Sequence, residues 1–199
     1  SNSTYKPGGT MLLSQGKITG RIISSGTDPM GRWAFTRYAG SRSKIITIVV
    51  AYQVVDKKVT DDRKKRSSTV AAQQASMQRT SAGSYIHPRK LFRTNLLAFL
   101  STCQKAHESL LLVGDFNEAL GSDLDGMAKI SSRLDLVDVC LQQHGRDDFA
   151  TYSRGSSRID YALASPDIAA SCTSCGYEPF LYRTKGCLSY PSDAADHPP

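Results

Sequence analysis

This 199-residue chain has no apolar run long enough to cross a bilayer: its longest, Ile45 to Tyr52, falls far short of the ~20 residues a membrane helix needs. Its first residues also lack the charged-then-apolar order of a signal peptide, so the expectation is a soluble, non-secreted, intracellular protein with no membrane partner. Proline is scarce, at 8 residues, and with 40% hydrophobic and 22% charged residues the composition excludes wholesale disorder. There is neither an internal repeat nor a Pro/Gly-rich linker, which predicts one domain over residues 1–199. The five cysteines are an odd number, so complete pairing is excluded and a reducing compartment fits better. Cys172-x-x-Cys175, with Cys187 and His197 downstream, is the one arrangement that suggests zinc, but no second CxxC supports it.

Acidic residues are scarce in one half only. Residues 1–100 hold 17 Lys/Arg against 4 Asp/Glu, and residues 101–199 hold 8 against 14. A basic surface attracts polyanions, whereas clustered carboxylates suit a divalent metal or a general base; solvated surface charge explains the same split equally well. Motifs have to decide.

The period of the apolar residues predicts strands at Met11–Leu13, Ile18–Ile23, Trp33–Tyr38 and Lys44–Val55, with turns at Ser25-Gly26-Thr27-Asp28 and Ala39-Gly40-Ser41. A polar, basic stretch follows over residues 56–90. His87-Pro88 opens a helix whose Phe92, Leu96, Phe99, Leu100 and Cys103 share one face. Leu110–Val113 reads as a buried strand, and a second helix is expected from Ser132 to Gly145 with Cys140 on its apolar face. Phe149–Tyr152, Arg158–Ser165 and a looser Tyr177–Tyr182 complete the strands. The class is α+β, a layered sandwich.

Three segments carry chemistry. After the Leu110–Val113 strand comes Gly114-Asp115-Phe116-Asn117, in which Asp115 and Asn117 leave the strand end on one side. The carboxylate suits a metal or a water proton and the carboxamide suits a phosphate oxygen; an Asx turn accounts for the same residues structurally. Arg158-Ile159-Asp160-Tyr161 places a carboxylate in an apolar strand, where it needs a partner such as histidine. Asp196-His197 near the end pairs a carboxylate with a proton-transferring imidazole.

In this order the three segments resemble the endonuclease/exonuclease/phosphatase superfamily, a four-layered α/β sandwich of divalent-metal phosphoesterases. Lys6-Pro7-Gly8-Gly9-Thr10, Gly31-Arg32-Trp33, Val50-Ala51-Tyr52, Ala72-Gln73-Gln74 and Pro88-Arg89-Lys90 look most like the endonuclease domains of non-LTR retrotransposons. The resemblance runs from Tyr5 to His197 and implies roles at matching positions. Asp115 would orient or deprotonate the attacking water, Asn117 would hold a phosphate oxygen, and Asp160 would fix the ring of His197. Asp196 would lie beside Mg²⁺ or Mn²⁺ with Asp115. Tyr52 would stand on the phosphate side and Thr151 would line the groove. Beside the resemblance, the basic half itself offers Arg37, Arg42, Lys44 and the Lys57 to Arg66 run as contacts to DNA phosphates.

The family's N-terminal section, with its Asn and its metal-binding Glu, has no counterpart here, and Glu108, Glu118 and Glu178 are misplaced to substitute. Ala195 stands where the family has Ser, and the family's closing strand is absent. The resemblance thus implies a Mg²⁺-dependent, DNA-cutting phosphodiesterase, with a reverse-transcriptase region in the same polypeptide and a nuclear location if its source is a eukaryotic retroelement. A binder of nucleic acid or protein that does not cleave, and a phosphatase of small or lipid phosphates, are the alternatives.

Overall fold

The computed structural model describes residues 9–55, 77, 86–151 and 156–177. They form one mixed six-stranded sheet: β1 Ile22–Thr27, β2 Trp33–Ala39, β3 Ile45–Tyr52, β4 Ser109–Asp115, β5 Val137–Asp138 and β6 Asp160–Ala164, in the order β1-β2-β3-β4-β6-β5. β1 to β3 pair as antiparallel hairpins, as their short glycine-bearing connections require. β3 and β4 run parallel, and a parallel pair needs a long crossover. That connection contains helix α1, Pro88–Lys105. Pro88 fits its first turn because a first-turn N–H needs no intrahelical partner.

The two faces of the sheet are covered differently. Leu110 and Leu112 of β4 alternate onto the side where Phe92, Leu96, Leu100 and Cys103 of α1 pack with Met127 and Ile130 of helix α2, Met127–Arg133. Every one of these side chains is at most 3% exposed. Burial of that kind stabilises by ~1.5–3 kcal/mol per large aliphatic side chain. On the opposite face Leu111 and Ala162 meet a smaller cluster built around Val139 of helix α3 (Val139–His144), Ala164 of β6 and Ala169 of helix α4 (Pro166–Ala170). The class is α+β, with helices flanking the sheet. The second sheet of the expected four-layered sandwich is not among the described residues.

Several local expectations are corrected. Met11–Leu13 forms no strand, and a 3-10 turn occupies Gly16–Arg21 where a strand was expected. Strand β1 runs through the expected Ser25–Asp28 turn, and the chain reverses later, where Asp28 accepts from Met30 N–H (3.0 Å) and is held by Arg32 (2.7 and 2.8 Å). The helix expected over Ser132–Gly145 is broken. Asp135 takes a left-handed φ of 51°, Val137 and Asp138 join β6, and Asp138 then caps α3 by accepting from Leu141 N–H at 3.1 Å. Gly145 ends the helix at φ 65° as expected. No strand forms over the described residues Phe149–Thr151 or at Tyr177, and the rest of Tyr177–Tyr182 lies outside the described residues.

Candidate active site

The sheet register itself assembles the site. Tyr52 is opposite Asp115 in the β3–β4 pairing, and Asp115 is opposite Asp160 in the β4–β6 pairing. Residues directly opposite one another project to the same face, so these three side chains stand in a row across the end of the sheet. A cavity of about 220 Å³ opens beside Asp115 and Asp160, bounded also by Val113, Ala162, Cys175 and Tyr177.

Gly114 sets how closely the strands approach at this point. A Cβ there would lie 1.9 Å from the Ala51 carbonyl oxygen, so any side chain would force β3 and β4 apart just before Asp115. After Asp115 the chain turns sharply. The Asn117 N–H donates to Asp115 Oδ1 at 2.9 Å, an Asx turn, and Asn117 takes a left-handed φ of 50° that Asn tolerates better than most residues. The Asn117 carboxamide donates to the Gln53 carbonyl at 2.7 Å, and its nearness partly offsets the rise in the Tyr52 hydroxyl pKa. The Asx turn and the functional arrangement are therefore the same structure.

The electrostatics are uneven. Burial raises the Asp115 carboxyl above the ordinary carboxylate range, the neighbouring Asp160 adds to the rise, and the Asn117 N–H partly offsets it. Burial and the Asp115 charge likewise raise the Tyr52 hydroxyl. Among the described residues no cation pairs with either carboxylate. The backbone of Asp160 is held firmly: its N–H and that of Ile159 donate to Thr151 Oγ1 at 3.1 and 2.9 Å, and its carbonyl accepts from the Tyr177 hydroxyl at 2.8 Å.

Behind the loop stands a group of residues that sequence reasoning missed. Glu118 is 7% exposed and accepts from both Arg89 (2.6 Å) and Arg93, from Gln53 Nε2 (2.9 Å) and from Met127 N–H. Arg89 also donates to the carbonyls of Val54 (3.0 Å) and Asn117 (3.2 Å), and Arg93 Nε donates to Gln53 Oε1 (2.9 Å). One buried cluster thus fixes both segments that follow the site strands. The signal for it was two arginines, four residues apart, among the buried positions of an otherwise apolar helix face.

The other expected residues lie elsewhere. Arg37, Arg42 and Lys44 are toward the opposite end of the sheet, at or near the β2–β3 turn: at ~3.3 Å per residue, Arg37 pairs with Thr47 roughly 16 Å along β3 from Tyr52, and Lys44 is roughly 26 Å away. Arg37 pairs with Glu108 (2.9 Å) and Lys44 with Asp167 (2.9 Å), while Arg42 is exposed at φ 54°. The structure therefore does not bring these three cations to the Asp115 site. The basic half spends Arg37, Lys44, Arg89 and Arg93 on carboxylates of the acidic half. Asp196 and His197 lie outside the described residues, as does the basic run Lys57 to Arg66. Cys103 and Cys140 are buried as free thiols, and among the described residues no three His, Cys, Asp or Glu converge as a metal site.

Comparison with known proteins adds the family. A model of the Endonuclease/Exonuclease/phosphatase family matches residues 1–193. No curated protein matches the sequence. Among solved structures, an AP endonuclease from Archaeoglobus fulgidus has the same fold, with a TM-score of 0.51 at 15% identity over 81% of this chain and 65% of that one. A 3′ phosphatase from Neisseria bound to a product DNA hairpin matches with a TM-score of 0.49 at 16% identity, over 75% of this chain and 60% of that one. A 3′-5′ exonuclease from Neisseria meningitidis matches with a TM-score of 0.46 at 18% identity, over 72% and 56%. The chain spans less than two thirds of each of these relatives.

Proposed function

Because the chain belongs to the Endonuclease/Exonuclease/phosphatase family, we propose that the row Tyr52–Asp115–Asp160 is part of a divalent-metal-dependent site that hydrolyses phosphodiester bonds of DNA. The carrying observation is the pair of carboxylates facing each other across β4 and β6, with Asp115 raised by burial and by Asp160. Two half-buried like charges repel unless a proton or a cation lies between them. Two hard oxygen ligands suit Mg²⁺, which ordinarily keeps several waters and takes only one or two carboxylates. Bound there, the ion would neutralise charge that develops on the phosphate.

The chain's own residues divide the remaining work. Asp115, its geometry fixed by the Asx turn, is the acceptor for the proton of the attacking water. Asn117 keeps one carboxamide hydrogen on Gln53 and has the other to donate to a phosphate oxygen. Tyr52 stays protonated and so remains a donor on the same side. Asp160 orients His197, and Asp196 completes the metal ligands; both assignments rest on the family motif. Thr151 acts through the backbone it holds. The Lys6-Pro7-Gly8-Gly9-Thr10, Gly31-Arg32-Trp33, Val50-Ala51-Tyr52, Ala72-Gln73-Gln74 and Pro88-Arg89-Lys90 segments support the finer assignment to a retroelement endonuclease, with a reverse-transcriptase region as its companion and the nucleus as its place of action.

The test is supercoiled plasmid with Mg²⁺. Nicking that disappears in EDTA and in Asp115→Asn supports the proposal. Salt-sensitive binding with no nicking overturns it in favour of a binder, and hydrolysis of small or lipid phosphomonoesters in preference to DNA overturns the substrate.

A further inference from the structure

A second, larger cavity lies on the other side of the loop from the proposed site. It measures about 490 Å³ and sits between the first turns of α1 and helix α2. Arg89 and Arg93 contribute to its inner wall with Leu97 and Ile130, and Lys90, Lys129, Arg133, Asp123 and Asp125 contribute charge around it. Five cationic side chains therefore meet two carboxylates.

The pairing within this wall locates the surplus. Asp123 is taken by Arg93 (2.6 Å) and Asp125 by Lys129, which hold both carboxyls below the ordinary range. Glu118 behind the wall is shared by Arg89 and Arg93. Lys90 and Arg133 are exposed and make no hydrogen bond or ion pair with a described residue. They stand on two different helices that face one cavity. The first turn of α1 contains no acidic residue, so nothing there neutralises the positive end of its 18-residue helix dipole.

Asn117 separates the two places. Its carboxamide lies on the Tyr52 and Asp115 side, whereas its carbonyl accepts from Arg89, which lines the cavity. We propose that this cavity is a second phosphate-binding site, one that takes a backbone phosphate of the same nucleic-acid strand whose scissile phosphate lies at Asp115 and Asp160. It rests on the proposed function for its substrate class but not for the chemistry. Lys90 and Arg133 supply the direct contacts, and Arg89 and Arg93, whose charges Glu118 and Asp123 balance, hold the shape of the wall behind them.

Binding is measured by fluorescence anisotropy in EDTA, so that cleavage and the metal site play no part, using a short and a long single-stranded oligonucleotide over a range of salt. Lys90→Glu combined with Arg133→Glu is compared with Arg42→Glu combined with Lys44→Glu, which changes net charge equally at the far end of the sheet. The expected result is about tenfold weaker binding of the long oligonucleotide in the first pair and a salt slope lower by about 1.4, the change for two lost contacts to a single strand, with little change in the second pair. Equal losses in both pairs, or none in the first, overturn the proposal. So does a cavity that inorganic phosphate occupies in competition assays while neither oligonucleotide senses the substitutions. A positive binding result with no plasmid nicking leaves the cavity assigned and overturns the hydrolase alone.

Discussion

Asp115 and Glu118 stand three residues apart in one loop, and their surroundings are opposite. Glu118 receives two guanidiniums, a carboxamide and a backbone N–H, all from the protein. Asp115 receives the Asn117 N–H and faces another carboxylate. A carboxylate whose counter-charges are built into the fold holds the fold together. One that lacks them has its charge available for a ligand. The two can be told apart by substitution.

Removing the Glu118 carboxylate should have the largest effect. Glu118→Ala leaves Arg89 and Arg93 buried without their shared partner, and a loss of about 3–5 kcal/mol in urea unfolding is expected. A loss below about 1 kcal/mol would mean that the cluster does not carry the loop. Next comes Gly114→Ala, where the clash with the Ala51 carbonyl should cost about 3 kcal/mol, measured in the same way.

Asp115→Asn sharpens the comparison from the other side. Its folded carboxyl is raised, so in the window from the ordinary value of 3.8 up to the folded value the native state holds more protons than the unfolded state. Stability from this group is complete in acid and is lost as pH rises through that window. In EDTA the Asn variant should therefore be more stable than the parent at about pH 7 and show no such advantage at about pH 3. Greater stability of the parent at neutral pH would mean that Asp115 is already paired. The smallest effect is expected at the far end of the sheet, where Lys44→Ala breaks an exposed pair with Asp167 and should change stability by less than about 1 kcal/mol. Plasmid binding by this variant should match the parent, and a clear loss would return Lys44 to the DNA contacts.

Local pattern carried much of this into the sequence. The apolar face of α1 and the strand before Gly114 were legible because each depends on residues within a few positions of one another. The helix expected over Ser132–Gly145 failed because its apolar spacing spans a left-handed residue and a two-residue strand that only pairing with β6 stabilises. Arg37, Arg42 and Lys44 were legible as cations but not as to their use, since Arg37 finds its partner 71 residues away.

By itself the sequence determined that Asp115 and Asn117 follow a buried strand, that Asp160 lies in another, and that a cation-rich half precedes an acid-rich one. The tertiary structure decided that β4 and β6 run antiparallel in the register that sets Asp115 against Asp160, and that Glu118 is committed to Arg89 and Arg93. Strand propensity and spacing are local properties, whereas register and charge pairing depend on which distant segments share a core. Of the basic half that suggested one cationic surface, Arg37, Lys44, Arg89 and Arg93 are in the folded chain paired with carboxylates of the acidic half, while Lys90 and Arg133 face one cavity.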